Sequence, residues 1–186
     1  MSSRKSATLL MEHYDLTQKG HKVLVLKPRL DTRDGNYIGS RAINRNIKAQ
    51  MIGERELNKI IHLTTNDKPD YILFDEVNFA TKCHVEELRI AATHYNIEVI
   101  CYGLLTDFQT NLFDGSKRLI EISDEVEFMK SSCADANCKN DSNINMRLLD
   151  GKPTFHGDQI QIGGNESYKT VCYNCYEKYR REYSGK

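Results

Sequence analysis

An α/β fold, with a parallel sheet covered by helices on both faces and a smaller cysteine-bearing domain after it, is what this sequence predicts. Three observations point there. The first 105 residues hold three short, continuous apolar runs, HKVLVLK, YILFD and IEVICYGLL, of the kind that marks strands buried on both faces. Stretches of helical periodicity separate them, and strand–helix alternation is the pattern of a parallel sheet. After about residue 128 the alternation gives way to a polar segment bearing four paired cysteines.

Along the chain, residues 6–19, SATLLMEHYDLTQK, read as a helix closed by Gly20 in a left-handed cap. HKVLVLK is the first buried strand, ended by Pro28, and RLDTRDGNYIGSRA is a polar, glycine-bearing loop. Residues 53–62 read as helical, TTNDKPD as a turn, and YILFD as the second strand. CHVEELRIAATHY has helical periodicity and IEVICYGLL is the third strand. Beyond residue 128 little helix signal remains. The change is a shift of composition rather than a linker, so the expected domains are 1–128 and 129–186. No internal repeat or low-complexity stretch is present.

At 186 residues the chain can bury a real core. Lys+Arg and Asp+Glu are both 26, which argues against non-specific nucleic-acid binding, since that rests on basic charge. With no apolar run of membrane-spanning length and no charged-then-apolar leader, the expectation is a soluble, cytoplasmic protein. Cys83 and Cys101, in apolar surroundings, are expected to be buried small hydrophobes. Cys133, Cys138, Cys172 and Cys175 form C-x4-C and C-x2-C pairs. In a secreted protein they would suggest disulfides, but in a reducing compartment two such pairs are the usual way to assemble a tetrahedral thiolate zinc site. CYNC is the more specific half. His156 lies near these pairs, but four thiolates already suffice, so it is expected on the surface.

Two further stretches bear chemistry. SRKSATLL resembles the end of a phosphate-binding loop, G-x-x-x-x-G-K-[ST], entering its helix. Arg4 stands where the second glycine belongs, and the first glycine and the strand before it fall outside the sequence; the expectation is that they lie upstream of Met1. YILFDEVNF is an apolar strand ending in two acids. Ligands of α/β sheets sit beyond the carboxyl ends of strands, so Asp75 suits a magnesium-holding acid and Glu76 a base toward a substrate hydroxyl. The plain alternative is an Asp-Glu pair that begins a helix or loop.

Taken in order, KSATLL, VLVLKPRLDTRD, FDEVNF, YGLLTDFQTNLFDGS and IQIGGNESYKTVCYNC resemble successive motifs of the thymidine kinases of the zinc-bearing cytosolic and phage class (type II). The resemblance spans nearly the whole chain. It implies a P-loop-type sheet, with its first strand missing here, followed by a small zinc-ribbon-like lasso domain. It also implies an ATP-dependent phosphotransferase that makes dTMP from thymidine, a homotetramer, and feedback by the triphosphate product. Residue by residue it places Lys5 on the ATP phosphates, and Ser6 and Asp75 on magnesium. Asp31, Thr32 and Arg33 fall at the nucleotide phosphates, and Glu76 at the catalytic base taking the 5′-hydroxyl proton. Phe79, Leu104, Phe108 and Phe113 fall around the thymine ring. Gln159, Ile160, Gln161, Ile162 and Gly163, with Tyr168, fall on the lasso that reads the base edge.

Read singly, Phe79, Phe108 and Phe113 could be ordinary core, Arg33 and Arg41 solvated loop charges, and Gly163-Gly164 a plain turn. The sequence also departs from the family. Asn78 replaces the usual glutamine of D-E-x-Q-F, Asn145 stands near a frequent threonine, and the first cysteine pair is wider than usual. Two function classes follow: an active thymidine kinase, or a catalytically impaired relative kept as a nucleoside-binding or subunit-interaction module. The Asp75-Glu76 pair favours the first, since a binding module has no use for a base.

Overall fold

A computed structural model describes residues 4–32, 34–40, 43–161 and 166–183. The chain forms two compact units: Arg4–Leu105 with Phe113–Val126, and Thr106–Leu112 with Glu127–Lys186.

The first unit begins with α1, Arg4–Gln18, whose Leu9, Leu10 and Leu16 are buried. Gly20, at φ +84°, ends it: the Gly20 N–H donates to Thr17 O and the His21 N–H to Leu16 O, the paired bonds of a Schellman cap. β1, Val23–Pro28, follows. A hairpin of β2, Tyr37–Ser40, and β3, Arg45–Lys48, comes next, then β4, Gln50–Ile52. α2, Lys59–Asp67, leads to β5, Tyr71–Phe74; α3, Lys82–Tyr95, leads to β6, Glu98–Cys101. α4, Asp114–Ile122, closes the unit.

The sheet is parallel, in the order β4-β1-β5-β6, with Leu24 opposite Ile72 and Ile72 opposite Val99. Side chains alternate across it. Leu24, Leu26, Ile72 and Phe74 pack with Ile60 of α2 and Val85, Leu88 and Ala91 of α3. On the opposite face Val25 and Leu73 pack with Leu9 and Leu16 of α1 and Ile38 of β2. The expected parallel sheet with helices on both faces is thus present.

Local departures have local causes. The loop expected over 29–42 contains β2, which with β3 offers only Ile38 and the partly buried Ile47 to the core. The helix expected at 53–62 starts at Lys59 and runs on through the expected turn to Asp67, where Lys68 caps it in the left-handed region. Its start is set by tertiary structure: the buried Glu87 carboxylate accepts the N–H groups of Asn58, Ile60 and Ile61 at 2.8, 2.9 and 3.3 Å. That satisfies amides a helix start leaves orphaned. Cys83 is exposed rather than buried; it lies about 200° around α3 from core-facing Val85. Cys101 is half-buried on β6, one of the two edge strands of the sheet among the described residues.

The second unit is antiparallel. β7, Ser131–Ser132, pairs with β8, Asp141–Ser142. β9, Ile144–Leu149, lies between β10, Lys152–Thr154, and β11, Tyr168–Val171. α5, Tyr173–Tyr183, was not legible in the sequence, because its composition is polar and Tyr176 alone is buried along it. Met146, Ile144, Phe155, Val171 and Tyr176 form a small core with Cys133 and Cys172. The segment at 106–112 belongs here: the Tyr176 hydroxyl donates to Phe108 O at 3.0 Å. No helix among the described residues is long and apolar enough to cross a membrane.

Candidate active site and metal centre

The strands of a parallel sheet end together, so the turns after β1 and β5 share one edge. At that edge the β5 backbone leaves through Asp75 and Glu76, both 5 % exposed. Glu76 adopts φ +51°, ψ +38°, a left-handed conformation that costs a non-glycine residue about 1 kcal/mol or more. A 3-10 turn, Val77–Phe79, follows at once. Three contacts hold the bend in place: Asp75 N–H to Leu26 O, Glu76 N–H to Asp75 Oδ1, and Val77 N–H to Tyr102 O, each 3.0 Å. α4 closes on it tightly, since a Cβ on Gly115 would stand 2.6 Å from the carbonyl oxygens of both Val77 and Ala80.

Lys5 and Ser6, in the first turn of α1, reach the same place. Ser6 Oγ donates to Asp75 Oδ2 at 3.0 Å across 69 residues of sequence. Burial, and after it the charge of Glu76, pushes the Asp75 carboxyl up to about 6, against the opposing pull of Lys5, Ser6 and the Glu76 N–H. A buried carboxylate, a hydroxyl, a lysine and helix N-terminal amides converge there. This donor set suits the oxygens of a phosphate chain and a hard divalent cation.

Lys27, near the end of β1, and Asp31, in the turn after it, form a buried ion pair at 3.2 Å, and Lys27 Nζ also donates to Tyr37 O. Lys27 thereby fixes the turn bearing Asp31 and the exposed Thr32, and a lysine inside an apolar strand was the signal for it. Arg33 lies outside the described residues.

Asn78, noted in the sequence only as a departure, has a defined task. Its Oδ1 accepts the Leu104 N–H at 3.0 Å, while Ser116 Oγ donates to the Leu104 carbonyl at 2.6 Å. Leu104 is therefore held at both backbone groups. Asn78 Nδ2 is buried with no hydrogen-bond partner among the described residues. Phe79 and Phe113 meet edge to face, centroids 5.7 Å apart.

In the second unit the four paired cysteines come together: Cys133, Cys138, Cys172 and Cys175 place their sulfurs within 4.8 Å of one another. A tetrahedral thiolate zinc, with Zn–S near 2.3 Å, needs sulfurs about 3.8 Å apart, and Cys138 and Cys172 stand at 3.6 Å. The Cys172 N–H donates to Cys133 Sγ at 3.3 Å. The Cys175 N–H, and then Asn140 Nδ2, favour the Cys172 thiolate and pull that thiol down to about 6. Donors aimed at sulfur and a closed four-thiol shell fit a structural metal. His156 is exposed, as expected.

Phe108 and Tyr168 are buried in this unit, whereas Gln159, Ile160 and Gln161 are exposed. Gln159 Nε2 donates to Asp107 Oδ2 at 3.0 Å, and the Tyr168 hydroxyl to Gln161 O at 2.9 Å. Asp107 Oδ1 also accepts the N–H groups of Gln109 and Asn111. Asn145 pairs with Thr170 across β9 and β11. Ile162 and Gly163 lie outside the described residues.

The model of the thymidine kinase family matches residues 1–176. Thymidine kinase of Streptococcus pyogenes serotype M3 is 35 % identical over 173 residues, 92 % of this chain and 90 % of the relative. That of Streptococcus thermophilus strain CNRZ 1066 is 38 % identical over 174 residues, 92 % and 87 % of the two chains. That of Lactococcus lactis subsp. lactis is 34 % identical over 180 residues, 96 % and 93 %. With the Ser6–Asp75 contact and the four-cysteine cluster already in place, these matches show that the chain belongs to the thymidine kinase family.

Proposed function

We propose that this protein transfers the γ-phosphate of ATP to the 5′-hydroxyl of thymidine, giving dTMP. The observation that carries the reading is the convergence of Lys5, Ser6, Asp75 and Glu76 at the carboxyl edge of the sheet, with Ser6 bonded to Asp75. Phosphoryl transfer asks a protein for positioning and charge neutralisation more than for covalent chemistry. Lys5 neutralises phosphate oxygens, and Ser6 and Asp75 hold magnesium, which when bound screens the charge on the phosphate chain. Asp31 and Thr32, with Arg33, steady the nucleotide phosphates. Glu76 takes the proton of the attacking hydroxyl. Phe79, Leu104, Phe113 and Phe108 contact the base, and Gln159, Ile160 and Gln161, with Ile162, Gly163 and Tyr168, read its edge. Cys133, Cys138, Cys172 and Cys175 hold zinc. On this reading the catalytic unit is the α/β part, and the cysteine-bearing part is the lasso. Cytoplasmic residence and a homotetramer belong to the same proposal, on family resemblance.

The test is Glu76→Gln, which keeps shape and most hydrogen bonding. We expect turnover to fall by roughly two to four orders of magnitude, the usual worth of a general base, with thymidine binding retained. Unchanged turnover would remove Glu76 from the mechanism.

A further inference from the structure

Arg147 is 3 % exposed, at the centre of the three-stranded sheet, opposite Thr154 on β10 and Tyr168 on β11. Four hydrogen bonds from its guanidinium end on neutral oxygens. Nη1 donates to Asp158 O at 2.6 Å and Nη2 to Gln159 O at 3.1 Å, while Nε and Nη2 both donate to the Tyr168 hydroxyl at 3.2 and 3.0 Å. Its carbon Cζ lies 3.7 Å from the centroid of the Phe108 ring, within stacking range for a cation on an aromatic face. A cation buried on such partners is costly, so its geometry must supply something a neutral residue would not.

What it supplies is the placement of a segment that no strand pairing places. Residues 158–161 lie outside every helix and strand. The carbonyls of Asp158 and Gln159 end on Arg147, and that of Gln161 ends on Tyr168, which Arg147 in turn holds. The Gln159 side chain is tied to Asp107, next to the ring on which Arg147 stacks. Fixing the carbonyls at 158, 159 and 161 fixes the peptide planes among them. Only a planar fork with parallel donors meets two successive carbonyls and a hydroxyl while stacking on a ring; an ammonium cannot.

We propose that Arg147 is a positioning residue for base specificity: it sets the backbone groups of 158–161 that distinguish a thymine edge from a cytosine edge. The proposal rests on the reading of this segment as the base-reading lasso. Thymine offers an N3–H donor beside an O4 acceptor and cytosine the reverse, so discrimination requires backbone groups held still, and a mispaired buried group is heavily penalised.

The experiment compares the wild-type protein, Arg147→Lys and Tyr168→Phe, each verified for metal content and melting temperature, with thymidine and deoxycytidine as substrates. For Arg147→Lys we expect KM for thymidine to rise roughly 10- to 100-fold. KM for ATP should stay within twofold, kcat should fall less than KM rises, and the preference for thymidine over deoxycytidine should drop at least tenfold. Tyr168→Phe, which removes one oxygen from the same network, should shift KM and preference in the same direction, and covers the case in which Arg147→Lys does not fold. Unchanged preference in folded variants of an active enzyme overturns the proposal alone. A wild-type protein that phosphorylates neither nucleoside overturns the kinase reading and this proposal with it.

Discussion

Asp75 is buried beside a second carboxylate, and its carboxyl is pushed up to about 6 from an ordinary 3.8 by that burial and by the charge of Glu76. Because the folded state holds the proton more tightly than the unfolded state, stability is fully present below the unfolded value. It is lost as pH rises through the folded one. That tighter hold on the proton is the cost of burying an acid beside a second one, at the place where the proposed function puts magnesium and the phosphates. Asp75→Asn removes the charge and keeps one oxygen to accept the Glu76 N–H, while its Nδ2 donates to the Ser6 hydroxyl, which in the wild type donates to Asp75 Oδ2. The variant should therefore gain melting temperature over the wild type as pH rises from about 5 to about 7.5 in magnesium-free buffer, by several degrees, while losing turnover. Parallel melting curves at every pH would show that Asp75 ionises without cost. The acid pair was legible because an apolar strand ending in Asp-Glu is conspicuous. Arg147 was not: a lone arginine in NMRLL signals nothing until the fold brings Phe108, Tyr168 and two carbonyls around it.

Among elements, β1, β5 and β6 were legible for the same reason they are stable: a strand covered on both faces is an unbroken apolar run. β2 and β3 fully bury Ile38 alone and left no such trace. α2 shows why helix boundaries resist reading. Its start is fixed by Glu87, a carboxylate 27 residues beyond Ile60 in sequence, so no local pattern could reveal it. Glu87→Ala leaves the Asn58, Ile60 and Ile61 amides without their acceptor, that of Ile60 in a buried place, and should cost about 2–3 kcal/mol of stability. Glu87→Gln, keeping one carbonyl oxygen, should lose roughly half as much, as read by urea unfolding at constant m-value. Equal, negligible losses would show that the α2 amides find water instead.

At the scale of the whole molecule, the two units are stabilised on different terms. The α/β unit has apolar clusters on both faces of its sheet, enough for a core of ordinary kind. The second unit gathers Ile144, Met146, Phe155, Val171 and Tyr176 around two of its own thiols, and a core so small needs a staple. The four sulfurs within 4.8 Å supply one when a metal joins them, and its binding free energy becomes folding free energy for that unit. Purified protein should accordingly carry one zinc per chain. Stripping it with a strong chelator, or replacing Cys172 by serine, should speed amide exchange across β9, β11 and the start of α5 by at least about tenfold, with β1 and β5 unaffected. Cys172 is the informative position, because its N–H also donates to Cys133 Sγ; the serine variant tests the loss of its sulfur while leaving that backbone donor in place. Metal analysis that finds no zinc, with the four thiols free or joined as disulfides, would sink the prediction. Uniform exchange in both units after chelation would mean that the metal stabilises the whole chain and is no local staple.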